Sequence, residues 1–599
     1  MTSLDKAVKC RAVHDIHATL TALLQRAVVT ALGSEHAQAD PLLRLAKDAR
    51  HGDFQANIAL PLGKLLGQPP RDLAQKIAAH IEQGELLSKV EVAGPGFINL
   101  TVSAKLLEQV AARMLGDDRL AVESLDTAST TVIDYGSPNC AKEMHIGHLR
   151  SSIIGDAISR VLEFRGDKVI RQNHLGDWGT QFGMLLELLL EQGWASPAGA
   201  AQEKARASVI QDLEELYRMA KAKFDADAEF AERSRARVVK LQSGDEASLA
   251  LWQQLIDESK RHMQAVFGLL GVKLADADIR PESFYNPRLP GVVEDLRKIG
   301  LLVESEEAQV VFPAGFKDRE GEPLPMIVQK RDGGFGYAAT DLAAARYRTE
   351  ELGASRVIYV VDARQGDHFA MLFKVLETAG WAKGARLEHV AFGTILGADK
   401  KPFKTRAGGT VRLVDVLEEA QRRAAEASDK KSEGVTSEER DAMARAVGVG
   451  AVKYADLSSD RIKDYIFDWD RMLALEGNTA PYLQNAYVRI RSIFRKGEVQ
   501  ESALDPQSIR AEAPEERALC LQLSQLPNII EQVAGSLEPH RLCTYLYDLA
   551  SAYHRFYENC SVLKAEGETR TSRLALSAVT ARTLKLGLEL LGINTVERM

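Results

Sequence analysis

The sequence predicts an α/β protein with a doubly wound parallel sheet at its centre, a small α+β domain before it and an α-helical bundle after it. Two strand–helix–strand patterns, beginning near Thr131 and Arg356, support the central sheet. Parallel strands need a crossover connection, so each pattern favours parallel pairing. Helical periodicity of apolar residues from about residue 455 to the end predicts the bundle.

Length and composition agree with several globular domains. The chain has 599 residues, of which 45% are hydrophobic and 27% are charged, as in an ordinary folded protein. At roughly 150 residues per domain, we expect about four domains. The 76 Lys and Arg residues and the 84 Asp and Glu residues give a net charge of −8. The chain as a whole is therefore not a strongly basic nucleic-acid coat, although a local basic surface is compatible with this average.

Cysteine usage and hydropathy indicate the compartment. The five cysteines are scattered and form no C-x-x-C pair, which favours a reducing environment over a zinc ribbon or a disulfide scaffold. We find no uncharged apolar stretch of about 18 residues, and charged residues interrupt any secretory pattern near the start. We therefore expect a cytoplasmic protein without a membrane span. A mitochondrial import signal is the alternative, which Asp5 and Asp15 disfavour.

The N-terminal α+β domain is expected at residues 1–115. Apolar residues recur at helical spacing over 20–32, and the loop His51-Gly52-Asp53 follows a turn at Asp40-Pro41. Helices are predicted at about 56–66 and 73–81, and strands at 90–92 and 97–102.

The central domain is expected at residues 125–420. Its first unit has strands at 131–135 and 168–171 and a helix from about 147, and its second unit has strands at 356–361 and 387–392 and a helix at 370–377. About 185 residues separate the two units, so an insertion at about 190–290 would split one doubly wound sheet.

Two further regions complete the expected organisation. Residues 421–454 are charged and rich in small residues, which predicts a connecting segment that is either a surface helix or a mobile linker. Apolar stripes at 542–556 and 576–590 predict the α-helical domain at 455–599.

The most specific local motif is His145-Ile146-Gly147-His148, which lies between the first predicted strand of this domain and the helix that follows it. Backbone N–H groups at a helix N-terminus attract phosphate, and two imidazoles can donate to the same phosphates. Gly147 would let the phosphate chain approach the backbone closely. The alternative is a pair of histidines that cap the helix or pack at the edge of the core.

The stretch 134–151, which contains this motif, resembles the signature region of class I arginyl-tRNA synthetases. The resemblance continues through 173–183, 477–484 and 596–599, and so spans essentially the whole chain. It implies a Rossmann-like catalytic domain, an N-terminal domain that touches the corner of tRNA and an anticodon-binding helical bundle.

The resemblance implies ligation of arginine to tRNA in two steps. L-arginine and ATP form arginyl-adenylate and pyrophosphate, and arginine then passes to the 2′-hydroxyl of the 3′-terminal adenosine of tRNA(Arg). The first step is expected to need bound tRNA. ATP would enter as its Mg²⁺ complex, with no tightly bound cofactor and no dedicated protein metal site. The implied partners are tRNA(Arg), L-arginine and ATP, and we expect a monomer.

Catalytic roles follow from the resemblance at the phosphate end. ATP contacts are implied for His145, Gly147 and His148, with the histidines acting as hydrogen-bond donors. The second class I signature, usually KMSKS, corresponds to 401–409 and lacks its second lysine, for which Lys142 is expected to compensate. Lys404 and Arg406 would add positive charge. The alternative is a solvated basic loop in which Lys404 is dispensable.

Arginine recognition requires acceptors for five guanidinium donors in a planar fork. The resemblance places the guanidinium contacts on Glu282, Tyr337 and Asp341, and the contacts to the α-amino and carboxylate groups on Asn139 and Gln365. Tyr337 and Asp341 are four residues apart and share a face if their segment is helical. The alternatives are a helix N-terminal charge for Asp341 and a surface ion pair for Glu282.

Contacts to tRNA are predicted at both ends of the chain. Phe54, Gln55 and Asn57 are the candidates in the N-terminal domain. Tyr557 and Met599 are candidates for holding anticodon-loop bases, because single-stranded RNA is read by stacking; core packing is the alternative for Tyr557. Arg489, Arg491, Arg495 and Lys496 could meet phosphates.

Two other functions remain open at this point. One is an adenylyl-transferring enzyme with the same histidine motif that acts on a small molecule, although such enzymes need neither the bundle nor the N-terminal domain. The other is a catalytically silent paralogue that only binds RNA, against which the intact Lys142, His145, His148, Glu282 and Asp341 argue.

Overall fold

The computed structural model describes residues 14–194, 212–331, 333–403, 411–428 and 436–599. These residues form an N-terminal α+β part, a central parallel sheet and a C-terminal helical region, which confirms the expected fold class. Among the described helices, none has the length and apolar character needed to cross a membrane.

A four-stranded antiparallel sheet in the order β1-β2-β4-β3 forms the N-terminal part. Its elements are α1 (Ile16–Leu32), β1 (Leu43–Leu45), β2 (Phe54–Ala56), α2 (Ala59–Leu66), α3 (Pro70–Ala78), β3 (Leu87–Ala93), β4 (Phe97–Val102) and α4 (Ala104–Gly116). The sequence predicted a helix from about residue 56, but Ala56 is the last residue of β2 and the helix begins at Ala59. Phe54 and Ala56 instead alternate into the core and pair with Leu100 and Ile98, which makes this segment a strand.

The central part contains both predicted strand–helix–strand units and the material inserted between them. Its elements are β5 (Thr130–Asp134), α5 (Gly147–Arg165), β6 (Lys168–Gln172), α6 (Thr180–Glu191), α7 (Leu213–Ala226), α8 (Ala228–Gln242), α9 (Glu246–Leu270), α10 (Leu289–Lys298), β7 (Val303–Ser305), β8 (Ala308–Val311), β9 (Met326–Gln329), α11 (Tyr337–Arg346), β10 (Arg356–Tyr359), α12 (Gly366–Thr378), β11 (Arg386–His389) and β12 (Ile395–Leu396). The antiparallel sheet β7-β8-β9 lies beyond the insertion expected at about 190–290.

The two units join at the middle of a parallel sheet in the order β11-β10-β5-β6. The chain leaves β5 toward β6 and leaves β10 in the opposite direction, so a crevice opens at the carboxyl ends of these strands. Ser151 on α5 holds the two ends together: its hydroxyl donates to the Val360 carbonyl at 2.7 Å and accepts the Gly136 N–H at 2.9 Å.

The C-terminal region is almost entirely helical. Its elements are α13 (Leu413–Ser428), α14 (Ser437–Leu457), β13 (Tyr465–Ile466), α15 (Trp469–Met472), α16 (Ala480–Gly497), α17 (Pro514–Leu523), α18 (Leu526–Ser536), α19 (His540–Asn559) and α20 (Gly567–Leu590). The expected limits of the connecting segment, 420 and 454, fall inside α13 and α14, so they do not coincide with the ends of elements.

A buried ion pair joins α5 to α14. Arg150 is 1% exposed, and its Nε lies 3.1 Å from a carboxylate oxygen of Asp456, which is equally buried. The Arg150 guanidinium also donates to the Lys463 carbonyl at 3.1 Å and lies over the Tyr465 ring. The helix that carries the histidine motif is thereby fixed to the start of the C-terminal region.

The N-terminal part packs against the bundle. Asp53, from the His51-Gly52-Asp53 loop, accepts the Val102 N–H at 2.7 Å and pairs with Arg517 on α17 at 2.5 Å. Arg582 on α20 donates to the Leu115 carbonyl at 2.5 Å. These contacts bring the first and last parts of the chain together.

We expect Gly155→Ala to destabilise the protein. A Cβ on this α5 glycine would lie 2.3 Å from Cβ and Cγ of the buried Tyr135, and such overpacking costs about 1–3 kcal/mol. The midpoint of thermal inactivation should therefore fall. Gly268→Ala on α9 is the matched control, because its Cβ would meet open space and alanine favours a helix by about 0.8–1 kcal/mol. An unchanged midpoint for Gly155→Ala would contradict the close contact.

Candidate active site

The histidine motif lies at the start of α5 with both rings held by backbone hydrogen bonds. The His145 N–H donates to Nδ1 of His148, and the Gly147 N–H donates to Nδ1 of His145, each at 3.0 Å. An Nδ1 that accepts cannot carry the proton of a neutral imidazole, so both rings carry it on Nε2. The ring centroids are 3.9 Å apart. The motif therefore presents two adjacent Nε2–H donors beside the helix N-terminus.

Both imidazoles are neutral at ordinary pH. Burial lowers the pKa of His148 to about 3, with smaller contributions from His145 and Lys142. Burial, and then the charge of Lys142, also lowers the pKa of His145. The histidines thus suit hydrogen-bond donation to an anion rather than proton transfer.

Lys142 is one of the cations at this end of the crevice. Its Nζ lies 4.0 Å from the ring centroid of Tyr217 on α7, a helix of the insertion. The neighbouring Glu143 lies 3.4 Å from Arg412 and 3.9 Å from His262. Side chains from distant parts of the chain therefore surround the two residues that precede the motif.

The chain returns to the histidine motif shortly after residue 403. The Ile146 N–H donates to the Val411 carbonyl at 3.0 Å, and the Leu413 N–H donates to the Met144 carbonyl at 2.9 Å. The Phe403 N–H donates to the Ile395 carbonyl at 3.0 Å. Lys404 and Arg406, the other predicted phosphate contacts, lie outside the described residues.

Three carboxylates line the other side of the crevice. The pKa of Glu282 is raised to about 8, mainly by burial and to a smaller extent by the charges of Asp177 and Asp341. Burial also raises the pKa of Asp177, whose carboxylate accepts the Ser283 N–H at 2.9 Å and the Ser283 hydroxyl at 2.5 Å. Among the described lysines and arginines, none forms an ion pair with these three residues. This side of the crevice therefore gathers three acidic side chains without a lysine or arginine partner among the described residues.

Asp341 has a histidine partner. Nε2 of His368 on α12 lies 2.6 Å from Oδ2 of Asp341 on α11, and this hydrogen bond raises the pKa of His368. Within the described part of the chain, no group of three His, Cys, Asp or Glu side chains is arranged to hold a metal ion.

The other predicted arginine contacts lie around these carboxylates. Asn139, in the loop after β5, forms a backbone bridge to Gly176, in the loop after β6. The carbonyl of Leu175, next to Gly176, accepts the Glu282 N–H at 3.0 Å. These contacts connect both loops to Glu282. Tyr337 is the first residue of α11, one turn before Asp341, and is 77% exposed. Gln365 is exposed three residues before His368.

The N-terminal candidates for tRNA binding need one correction. Phe54 is wrong as a contact residue, because its side chain is fully buried in the core of the N-terminal sheet. Gln55, in contrast, is partly exposed and donates to the Asn99 side chain at 3.0 Å. Asn57 is also partly exposed.

The C-terminal candidates differ in how they are held. Tyr557 is 40% exposed, with the Arg489 guanidinium 5.7 Å from its ring centroid. Met599 is partly buried and packs against the cluster of Ala424, Met443, Ala444 and Val447. Arg491 and Arg495 bind Glu597 at 2.9 and 3.0 Å, so they fix the C-terminal tail.

Three residues of this site, Asp177, Tyr217 and His368, are absent from the sequence-based prediction. Asp177 had a usable signal, because it is an acidic residue that follows the second parallel strand at the edge where ligands bind. His368 and Tyr217 had none: each acquires its contact through a helix packed against a distant segment.

Comparison with known proteins identifies the class. A family model described as "tRNA synthetases class I (R), catalytic domain" matches residues 109–469. The fold and the site therefore define a class I aminoacyl-tRNA synthetase. Models described as "Arginyl tRNA synthetase N terminal domain" and "DALR anticodon binding domain" match 14–102 and 483–599.

Relatives along the whole chain identify the family. "Arginine--tRNA ligase" of Synechococcus sp. is 50% identical over 582 residues, which cover 96% of this chain and 98% of that protein. That of Proteus mirabilis is 49% identical and covers 97% and 100%. The crystal structure of arginyl-tRNA synthetase from Plasmodium falciparum matches with a TM-score of 0.83 and 29% identity, covering 98% of this chain and 99% of that one. The chain belongs to the arginyl-tRNA synthetase family.

We expect Glu282→Gln to raise stability toward alkaline pH. The unfolded carboxyl loses its proton near pH 4.5 and the folded one near pH 8. Between these values the folded state binds more protons, so the free energy of unfolding falls as pH rises. Glutamine does not titrate, and the melting temperature of the variant should exceed that of the wild type increasingly up to pH 8.

Glu351→Gln is the control for this prediction. Glu351 pairs with Arg288 at 3.0 Å on the surface, and the hydrogen bond from Arg288 lowers its pKa. Its replacement should give a small change without a gain toward pH 8. Equal pH dependence of melting in the wild type and in Glu282→Gln would contradict the assigned pKa.

Proposed function

We propose that Asp341, Glu282 and Tyr337 hold the guanidinium group of arginine, with Asn139 and Gln365 at its α-amino and carboxylate end. The observation that carries this proposal is the cluster of Asp177, Glu282 and Asp341, in which burial and the two neighbouring charges raise the pKa of Glu282 to about 8. A guanidinium supplies planar donors that can meet two carboxylates at once. Lysine would leave acceptors unpaired, and an unpaired buried acceptor costs about 1–3 kcal/mol.

The activity is that of an arginine–tRNA ligase. Arginine and ATP, as its Mg²⁺ complex, give arginyl-adenylate and pyrophosphate, and the arginyl group is then transferred to the 3′-terminal adenosine of tRNA(Arg). In the first step the arginine carboxylate attacks the α-phosphorus, and negative charge develops toward the departing pyrophosphate. Donors placed for that charge lower the barrier more than donors to the ground state would.

The residues proposed for that charge are His145, His148 and Lys142. Two fixed Nε2–H donors and a lysine ammonium lie at one crossover. Gly147 lets the phosphate chain approach the helix N-terminus. Lys404 and Arg406 are proposed from the sequence to bring further cations to the same phosphates.

For tRNA, we propose that Gln55 and Asn57 contact its corner and that Tyr557 and Met599 contact the anticodon loop. The exposed ring of Tyr557 beside Arg489 supports stacking of a base at this point. We further propose that the enzyme acts as a cytoplasmic monomer. Cys140, Cys520, Cys543 and Cys560 are free thiols, which fits a reducing compartment.

Exchange of labelled pyrophosphate into ATP, assayed with each amino acid in turn and with or without tRNA, tests the activity. Exchange with arginine that depends on tRNA is the expected result. Exchange with arginine but no transfer to tRNA would favour a small-molecule adenylyl transferase, and exchange with no amino acid would favour a silent RNA-binding paralogue. Exchange with lysine or glutamine in place of arginine would contradict the assignment of the carboxylates.

We expect Asp341→Asn to impair the use of arginine selectively. A hydrogen bond to a charged group contributes about 1.5–3 kcal/mol, so the KM for arginine should rise roughly 10- to 100-fold. The KM for ATP should change little, because the proposed phosphate contacts lie around the start of α5, on the other side of the crevice from Asp341. Asp295→Asn is the control. Asp295 lies on α10 and pairs at 2.9 Å with Arg346, which is on the same helix α11 as Asp341. An unchanged KM for arginine would overturn the role of Asp341.

We expect Tyr557→Ala to weaken tRNA binding by about 1–3 kcal/mol, the usual contribution of one stacked base. The dissociation constant should be measured at a stated salt concentration, because phosphate contacts make affinity depend on salt. Tyr557→Phe keeps the ring and should retain wild-type affinity. Equal affinity of the alanine and phenylalanine variants would show that no base stacks there.

A further inference from the structure

The hydrogen bond between His368 and Asp341 occupies one oxygen of a carboxylate that the proposed function assigns to arginine. Nε2 of His368 lies 2.6 Å from Oδ2 of Asp341. The side chains are 28% and 21% exposed, so the pair reaches the crevice rather than the core. An ionised carboxylate accepts at both oxygens, which leaves Oδ1 able to accept from a second partner.

We propose that His368 is a positioning residue that orients Asp341 for the guanidinium when neutral and competes with arginine when charged. Nε2 donates to Asp341 in either form, so the contact persists while the charge changes. A charged imidazolium balances Asp341 and repels a guanidinium at short range. Arginine therefore binds more tightly to the form with neutral His368, and its binding releases a proton. This inference rests on the proposed role of Asp341.

The surroundings of His368 favour its charged form. The hydrogen bond from Asp341, followed by its charge, raises the pKa of His368 against the opposing effect of burial. On the neighbouring β11, His389 stacks on Phe369 and has a pKa lowered by burial, so it adds no positive charge. In the turn before α12, Asp362 is paired with Arg364 at 2.8 Å. Asp341 is thus the charge to which His368 responds.

Glu282 titrates in the same sense and must be separated from His368. Its pKa of about 8 means that arginine binding also favours loss of the Glu282 proton. Each group whose protonation opposes binding can change the KM for arginine by a factor of up to about 10 per pH unit. The wild-type enzyme is expected to combine both contributions.

His368→Gln tests the proposal, because a glutamine amide can donate from nearly the position of Nε2 but does not titrate. In complete aminoacylation reactions with tRNA, ATP and L-arginine at saturating ATP, the wild-type KM for arginine should fall from pH 6 to pH 8.5. The variant should have a shallower slope of log KM against pH, and its kcat should follow that of the wild type. His368→Ala loses the donor as well and should raise the KM at every pH.

Proton counting gives a second readout. Calorimetric titration of the full chain with L-arginine, in two buffers of different ionisation enthalpy, measures the protons released on binding. The wild type should release more than His368→Gln, by up to one proton at a pH where His368 is charged. His389→Gln is the matched control and should keep the wild-type count and slope.

Two outcomes separate this inference from the proposed function. Wild-type slope and proton count in His368→Gln would overturn the role of His368 while leaving arginine binding by Asp341 intact. An unchanged KM for arginine in Asp341→Asn would show that Asp341 does not bind arginine, and would overturn both. The slope that remains in His368→Gln should vanish in the double variant with Glu282→Gln.

Discussion

Like charges held close together in one crevice are the constraint on which this structure depends. Burial, followed by the charges of Asp177 and Asp341, raises the pKa of Glu282 to about 8. Each is held in place by a different device: Asp177 by Ser283, Glu282 by its backbone bond to Leu175, and Asp341 by His368. The parallel sheet and its pinned central crossover provide the rigid frame for all three. A bound cation would stabilise the charged forms of these carboxyl groups, so the proposed selectivity for arginine would arise from the cost of burying them in the empty site.

The phosphate end works with the opposite polarity. Two neutral imidazoles, a helix N-terminus and Lys142 offer donors, whereas the arginine end offers acceptors. Neutral histidines suit hydrogen-bond donation to phosphate. Their pKa values are low, so over the ordinary pH range each ring keeps one proton, and that proton is fixed on Nε2. On the proposed assignment, the cationic head group of arginine and the triphosphate of ATP bind at opposite ends of one crevice, and the reacting carboxylate and α-phosphorus meet between them.

Much of the fold was predictable, and the site only in part. The strand–helix–strand units followed from local periodicity, and the histidine motif was evident because its neighbours in sequence are also its neighbours in space. The strand at Phe54 was not predictable, because pairing with the distant Leu100 overrides the helical pattern that follows it. The same holds for the tail: Glu597 binds Arg491, more than one hundred residues away, so that arginine looked free in the sequence. Asp177 was visible as a residue, but its role depends on Ser283 across the crevice. Residues whose partners are local could be assigned from the local pattern, whereas Glu282 and Asp341, whose partners come from other segments, could be assigned only through the family resemblance.

The buried pair of Arg150 and Asp456 has a consequence for exchanging parts between related enzymes. The cut that domain anatomy suggests, just before the bundle, would separate the Arg150 guanidinium from Asp456, its ion-pair partner among the described residues. A lone buried charge is strongly destabilising. A chimera would therefore have to carry α14 and the segment through Tyr465 along with the catalytic half. Arg150, which makes this contact, lies on α5, the helix that begins at the histidine motif. Any foreign anticodon-binding domain would therefore first have to fit the contact between α5 and α14.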